Sequence, residues 1–170
     1  MKALLLVGTV GSGKTTVLLE LGRCLAERGE PHALVDLDWL AWVDPSPTSE
    51  LSVHGILAAN LAAAVDTFRR AGVTRLVLAR HVTRTEELAS IKAALGGAEL
   101  AVVRLEVPVA VLEARIRSRD SGRELEEHLS ELAAAERPEF AHVTVDNGGR
   151  PSAEVADEIL VAIGWRGTRS

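Results

Sequence analysis

One eight-residue stretch constrains this 170-residue chain more than any other: Gly8-Thr-Val-Gly-Ser-Gly13-Lys14-Thr15. It follows a short apolar run, Ala3-Leu-Leu-Leu-Val7, and precedes a segment whose apolar residues recur at helical spacing. The pattern G-x-x-x-x-G-K-[ST] between a strand and a helix is the signature of a backbone cradle for phosphates. The physical need is specific. Clustered phosphate oxygens are best met by converging backbone N–H groups, and glycines let the chain approach without a Cβ in the way. The helix that follows adds the positive end of its dipole. The backbone of Gly8, Val10, Gly11, Ser12 and Gly13 is therefore expected to wrap a polyphosphate. Lys14 is expected to reach the β- and γ-phosphates, the Thr15 hydroxyl to hold Mg²⁺, and Thr16 to reach the α-phosphate.

The rest of the chain alternates strand-like and helix-like segments. Ala3–Val7 reads as a strand buried on both faces, and residues 14–28 as a helix with Val17, Leu18, Leu21, Cys24 and Leu25 on one side. Ala33–Asp36 is a second strand. Asp44-Pro-Ser-Pro47 is a loop, and residues 51–71 form a helix with Leu57, Leu61, Val65 and Phe68 inward. Residues 75–79 are a third strand, and Thr83-Arg-Thr-Glu86 fits a capping box for the next helix. Further strands fall at residues 100–105 and 142–145. Helices begin after Pro108, near Glu124 and at Pro151, with the second of them running to Glu136. This order predicts an α/β fold: a three-layer arrangement with a five-stranded parallel sheet and helices on both faces. Ligands of such sheets bind beyond the carboxyl ends of the strands, so the residues there are the candidates for chemistry.

Composition narrows the partners. Apolar residues make up 47% of the chain, enough for one core, and no Pro/Gly/Ser-rich linker divides it, so a single domain over 1–170 is expected. The net charge is −5 with basic residues scattered, which argues against a nucleic-acid partner. Cys24 is the single cysteine; no internal disulfide can form, and a reducing, cytoplasmic setting fits. The apolar run 3–7 is too short for a secretory signal or a membrane span, so no membrane partner is expected. Either a monomer or a homodimer is compatible with these features.

The second strand ends Val35-Asp36-Leu-Asp38-Trp39. In an extended segment residues two apart project to one side, so both carboxylates are expected at the sheet edge near the phosphate loop. One can bind Mg²⁺ through water and the other can accept a proton from an attacking hydroxyl. The bland alternative is that the acids cap a turn. Leu112 to Arg123 carries Arg115, Arg117, Arg119 and Arg123; Arg115 and Arg119, four apart, share a helical face. Such a cluster suits a lid over about 115–128 that closes on a transferred phosphoryl group, although Glu113, Asp120, Glu124 and Glu127 also offer ordinary surface partners.

The phosphate loop, the Asp36-Leu-Asp38 pair and this arginine segment resemble the P-loop small-molecule kinases of the nucleoside-monophosphate-kinase-like group, such as adenylylsulfate kinase, shikimate kinase, gluconate kinase and chloramphenicol phosphotransferase. The resemblance implies transfer of the γ-phosphoryl group of Mg-ATP onto a small-molecule acceptor. It implies acceptor and base work for Asp38, metal work for Asp36 beside Thr15, and lid roles for Arg115 and Arg119. It also implies that the loop after the fifth strand, with Asn147 and Gly148, packs against adenine; turn chemistry accounts for the same residues. Two departures matter. The third strand reads Leu76-Val-Leu-Ala-Arg80 without an acid, which weakens a motor-ATPase or switch-GTPase reading. No N-K-x-D stretch selects guanine, so ATP is preferred. The rival expectations are a nucleotide-binding regulator and a simple ATPase.

Weaker features remain. Trp39 and Trp42 either floor an acceptor pocket or sit in the core. Asn60 either points at a ligand or makes a structural hydrogen bond. Arg80 and Arg84 either bind an anionic acceptor or are surface residues. Cys24 reads as an inert packed thiol, and the five histidines show no metal spacing.

Overall fold

The computed structural model describes residues 1–42, 52–134 and 140–166. Five strands, β1 (Lys2–Val7), β2 (His32–Asp36), β3 (Arg75–Arg80), β4 (Glu99–Glu106) and β5 (Val143–Asp146), form one sheet in the order β2-β3-β1-β4-β5, and every pairing is parallel. The helices are α1 (Lys14–Glu27), α2 (Leu37–Leu40), α3 (Val53–Arg70), α4 (Thr85–Ala94), α5 (Val109–Arg119), α6 (Gly122–Ala134) and α7 (Ser152–Ala162).

The continuous apolar run of β1 follows from its central place. Alternate side chains of a strand face opposite sides of a sheet, and both sides here are covered. Leu4 and Leu6 enter a core with Val17, Leu21 and Leu25 of α1 and Val155, Ile159 and Leu160 of α7. Ala3, Leu5 and Val7 enter a second core with Leu57, Leu61 and Val65 of α3 and Ile91 of α4. The edge strand β2 is only partly buried along its length. Cys24 is buried in the first core as a free thiol, and burial pushes its pKa up.

Several local expectations change. Asp36 does end β2, but the chain coils into α2 at once instead of staying extended, so the two acids do not share one side of an extended segment. Asp36 becomes the N-cap: its Oδ1 accepts the Asp38 N–H at 3.1 Å. The capping box at Thr83 is not formed. The chain stays extended through Arg84, α4 starts at Thr85, and its first turn has no side-chain cap. That register turns Glu87 inward, where it meets Arg80. Neither Trp39 nor Trp42 is a core residue; they are 72% and 71% exposed and stack on each other with ring centroids 5.5 Å apart. The buried indole is Trp165, under the Arg75 guanidinium. Asn60 makes the structural bond, donating to the Leu40 carbonyl at 2.9 Å. The Asp44–Pro47 loop, the start of the second predicted helix at Leu51 and the end of the later one at Glu136 lie outside the described residues.

Candidate functional site

The loop between β1 and α1 is built by backbone geometry that glycine alone tolerates well. Gly11 (φ 76°) and Gly13 (φ 87°) are left-handed, and Gly13 is also the N-cap of α1. A Cβ on Gly13 would stand 2.7 Å from Asn147 Nδ2. That amide reaches across from the end of β5 and donates to the Ser12 carbonyl at 2.7 Å. Arg115 completes the brace: its Nη1 donates to the Gly11 carbonyl at 3.2 Å and its Nη2 to the Asn147 carbonyl at 2.8 Å. The phosphate loop is thus pinned from α5 and from the β5–α7 turn. Bracing of this kind lowers the ordering cost of binding.

A cleft of about 560 Å³ opens at this edge. Its walls include Val10, Gly11, Gly13, Lys14, Thr15 and Thr16 from the loop and α1. Asp36 and Asp38 stand on one side; Arg115, Arg119 and Asn147 stand on another. Gly8 and Ser12 lie beneath, with Ser12 buried and its hydroxyl packed toward Gly8. The side chains of Arg150 and Ser152, after β5, also face the cleft. Their position in the chain, just past a strand end, was the one signal that could have found them.

Lys14 donates to the carbonyls of Gly8 (3.0 Å) and Thr9 (3.1 Å), arched over its own loop. Burial pushes its ammonium below the ordinary lysine value, while Asp38, Glu131 and Asp36 pull it back up. Thr15 Oγ1 donates to Asp36 Oδ2 at 3.3 Å. A hydroxyl and a carboxylate side by side are hard oxygen donors of the kind magnesium prefers, so this pair fits that ion. Asp38 is more exposed, and desolvation lifts its carboxyl above the usual aspartate range; Arg80 and Lys14 oppose the lift and Asp36 adds to it. Arg80, at the end of β3, binds Asp38 Oδ1 through Nη1 at 2.9 Å and Glu87 Oε1 through Nε at 2.5 Å. It is therefore an ion-paired residue and not a free anion receptor. Arg84 is exposed at the start of α4.

The arginine segment divides. Arg115 is the brace described above. Arg119, at the end of α5, holds Asp120 by two hydrogen bonds of 2.6 and 2.9 Å while still facing the cleft. Asp120 is buried, and Arg119 followed by His128 holds its carboxyl down at about 2. Oxygens of Asp120 and Glu124 and a ring nitrogen of His128 come within 4.8 Å of one another, a gathering across the α5–α6 bend that chain spacing did not reveal. The α6 helix has no buried residue, and its Glu131 accepts from His81 Nδ1 at 2.7 Å, tying it to the segment after β3. The segment expected as a lid thus comprises the end of α5, a bend at Asp120–Ser121 and half of α6.

A parallel sheet of this order, with a glycine-rich phosphate loop between β1 and α1 and an acid pair after β2, is the P-loop kinase fold. Solved structures share it: the APS kinase of Mycobacterium tuberculosis, in complex with AMPPNP and APS, aligns with a TM-score of 0.67 over 96% of this chain and 97% of its own at 21% identity. A gluconokinase from Sinorhizobium meliloti aligns at 0.63 over 96% and 92% at 21% identity. The shikimate kinase of Acinetobacter baumannii, in complex with shikimate, aligns at 0.60 over 99% and 96% at 20% identity. No protein-family model and no curated protein matches the chain. Among the described residues no helix is long and apolar enough to cross a membrane.

Proposed function

We propose that this protein is an ATP-dependent phosphotransferase that moves the γ-phosphoryl group of Mg-ATP onto a hydroxyl of a small-molecule acceptor. The observation that carries it is the gathering, in one cleft, of the Lys14 loop, the Thr15–Asp36 oxygen pair and the Asp38 carboxylate. The neighbours named as an APS kinase, a gluconokinase and a shikimate kinase support a small acceptor.

Each residue then has a task. Backbone N–H groups of the Gly8–Thr16 loop hold the phosphates, and Lys14 exchanges its two carbonyl partners for β- and γ-oxygens. Thr15 and Asp36 would hold the magnesium ion, which would offset the negative charge of the phosphates. Asp38 orients the acceptor hydroxyl and takes its proton as the oxygen bonds to the γ-phosphorus; the bond from that phosphorus to the β-phosphate oxygen breaks, and ADP leaves. Arg119 faces the cleft with Nη1 outside its pair with Asp120, available to the charge that spreads over the transferred group. Arg115 acts through the loop it braces, and Asn147 beside it contributes to the nucleotide wall.

Screening hydroxyl-bearing metabolites and antibiotics with Mg-ATP should yield one product heavier by a phosphoryl group. Asp38→Asn should lower that transfer by about 10²–10⁴-fold, with Mg-AMPPNP affinity by calorimetry nearly unchanged. A variant that transfers at full rate would remove Asp38 from the mechanism. Nucleotide binding with no acceptor gaining mass would favour a regulator, and phosphate release alone a simple ATPase.

A further inference from the structure

The strand beside β1 ends on a cation. Arg80 closes β3 in register with Val7, directly across from the start of the phosphate loop. Its guanidinium joins two carboxylates of different exposure. Nε meets Glu87, whose side chain is 8% exposed, and Nη1 meets Asp38, whose side chain is 56% exposed; the Arg80 side chain is itself 12% exposed. Nη1 also lies 3.4 Å from the Leu37 carbonyl. One planar fork therefore grips the α2 turn at both its backbone and its acid, and is held from behind by the first turn of α4.

We propose that Arg80 is a positioning residue for Asp38, with Glu87 as its anchor, so that the carboxylate facing the acceptor is held in one orientation. The proposal rests on the reading of Asp38 as the proton acceptor. The geometry explains why a buried acid sits at the start of α4 at all: an arginine held only by Asp38 would swing freely into the cleft, whereas a fork fixed at its inner end presents one nitrogen in one direction. It also explains the cation at this strand end. Asp36 and Asp38 both line the cleft with Lys14, and a third carboxylate at the end of β3 would leave the α2 acid nothing to bind. The charged groups acting on Asp38 are Arg80 of β3, Asp36 at the β2 end, Lys14 of α1 and His81 after β3. Glu87 faces Arg80 and, at 3.9 Å, His54 of α3.

The test uses the full chain and the variants Arg80→Met, Arg80→Lys and Glu87→Gln. Turnover is read as phosphate release from Mg-ATP with water as acceptor. Arg80→Met removes the fork that orients Asp38 and leaves the phosphate loop untouched. Its kcat should fall about tenfold or more while the KM for ATP stays within about twofold. Arg80→Lys, which keeps the charge but cannot bridge both acids, should not restore kcat. Glu87→Gln, which frees the inner end of the fork, should lower kcat by a smaller factor. An unaltered kcat in both Arg80 variants, or a KM for ATP that rises in step with the fall in kcat, overturns the proposal. Should Arg80→Met not fold, judged by its amide spectrum, a wild-type kcat in Arg80→Lys and Glu87→Gln overturns it and a lowered kcat supports it. Calorimetry with Mg-AMPPNP on the wild type separates the two ideas. No binding rejects the nucleotide reading, whereas binding with an unaltered kcat in the Arg80 variants rejects only the role of Arg80.

Discussion

At the scale of single residues, Lys14 illustrates how this site stores its readiness. Its ammonium is half-buried, its pKa is lowered by desolvation, and it is satisfied by two carbonyls of its own loop, with three acids acting on it from a distance. Phosphate oxygens would replace those carbonyls with charged partners, which favour the protonated amine more strongly. The sign follows: a group whose pKa is lowered in the free protein and raised in the complex takes up a proton on binding at alkaline pH. Calorimetry of Mg-AMPPNP binding in buffers of different ionisation enthalpy should record that uptake. Lys14→Ala should remove it and cut turnover by about 10²-fold or more. The residue roles were only half legible in the sequence. Lys14, Thr15 and the two acids stood out by type and spacing, and the fold brings them to one cleft. Arg80 stood out as a candidate anion receptor, but its ion pairs were not legible, because its partners Asp38 and Glu87 lie 42 and 7 residues away and the sheet order brings all three together.

At the scale of elements, the α5–α6 hairpin stands apart. The α6 helix buries no side chain, so it lacks the apolar anchorage that fixes α1, α3 and α7. What holds its bend is polar: Arg119 and His128 on the buried Asp120, with Glu131 on His81. Elements with few apolar contacts open at low free energy, and lids are drawn from them. Asp120 gives this a pH signature. Its carboxyl is held at about 2 against an ordinary 3.8, so the stability it contributes is present above the ordinary value and is lost as pH falls through the lower one. Asp120→Asn at neutral pH should therefore speed hydrogen exchange across α5 and α6 while the β1 and β3 amides stay protected. Equal exchange in both variants would show that the hairpin is held by something else. The failure of the capping box at Thr83 belongs to this scale too. A local signal placed the start of α4 before Thr85, and the buried Arg80–Glu87 pair goes with the later start that the chain adopts.

At the scale of the whole molecule, two apolar cores clasp the sheet from either side, and the cleft lies where neither reaches, at the carboxyl edge. The phosphate loop is tied to β5 and α5 through Asn147 and Arg115, so a ligand that engages the loop stabilises contacts from both halves of the chain. Thermal unfolding should shift upward with Mg-ATP, by about 2.7 kcal/mol of added stability at a hundredfold excess over Kd. Asn147→Ala should shrink that gain, as a loop left to order itself on binding gives back part of the energy. By itself the sequence determined the layered parallel fold, the phosphate loop and the two acids beside it. Each of these is written in local pattern: an apolar run buried on two faces, glycines where backbone must bend, acids just past a strand. Tertiary structure alone decided that Asp36 caps α2, that Trp39 and Trp42 face outward, that Arg80 is shared by Asp38 and Glu87, and that Asn147 holds the phosphate loop from 135 residues away. Those outcomes depend on which strand ends become neighbours, and a parallel sheet sets that by crossovers that no stretch of local sequence spells out.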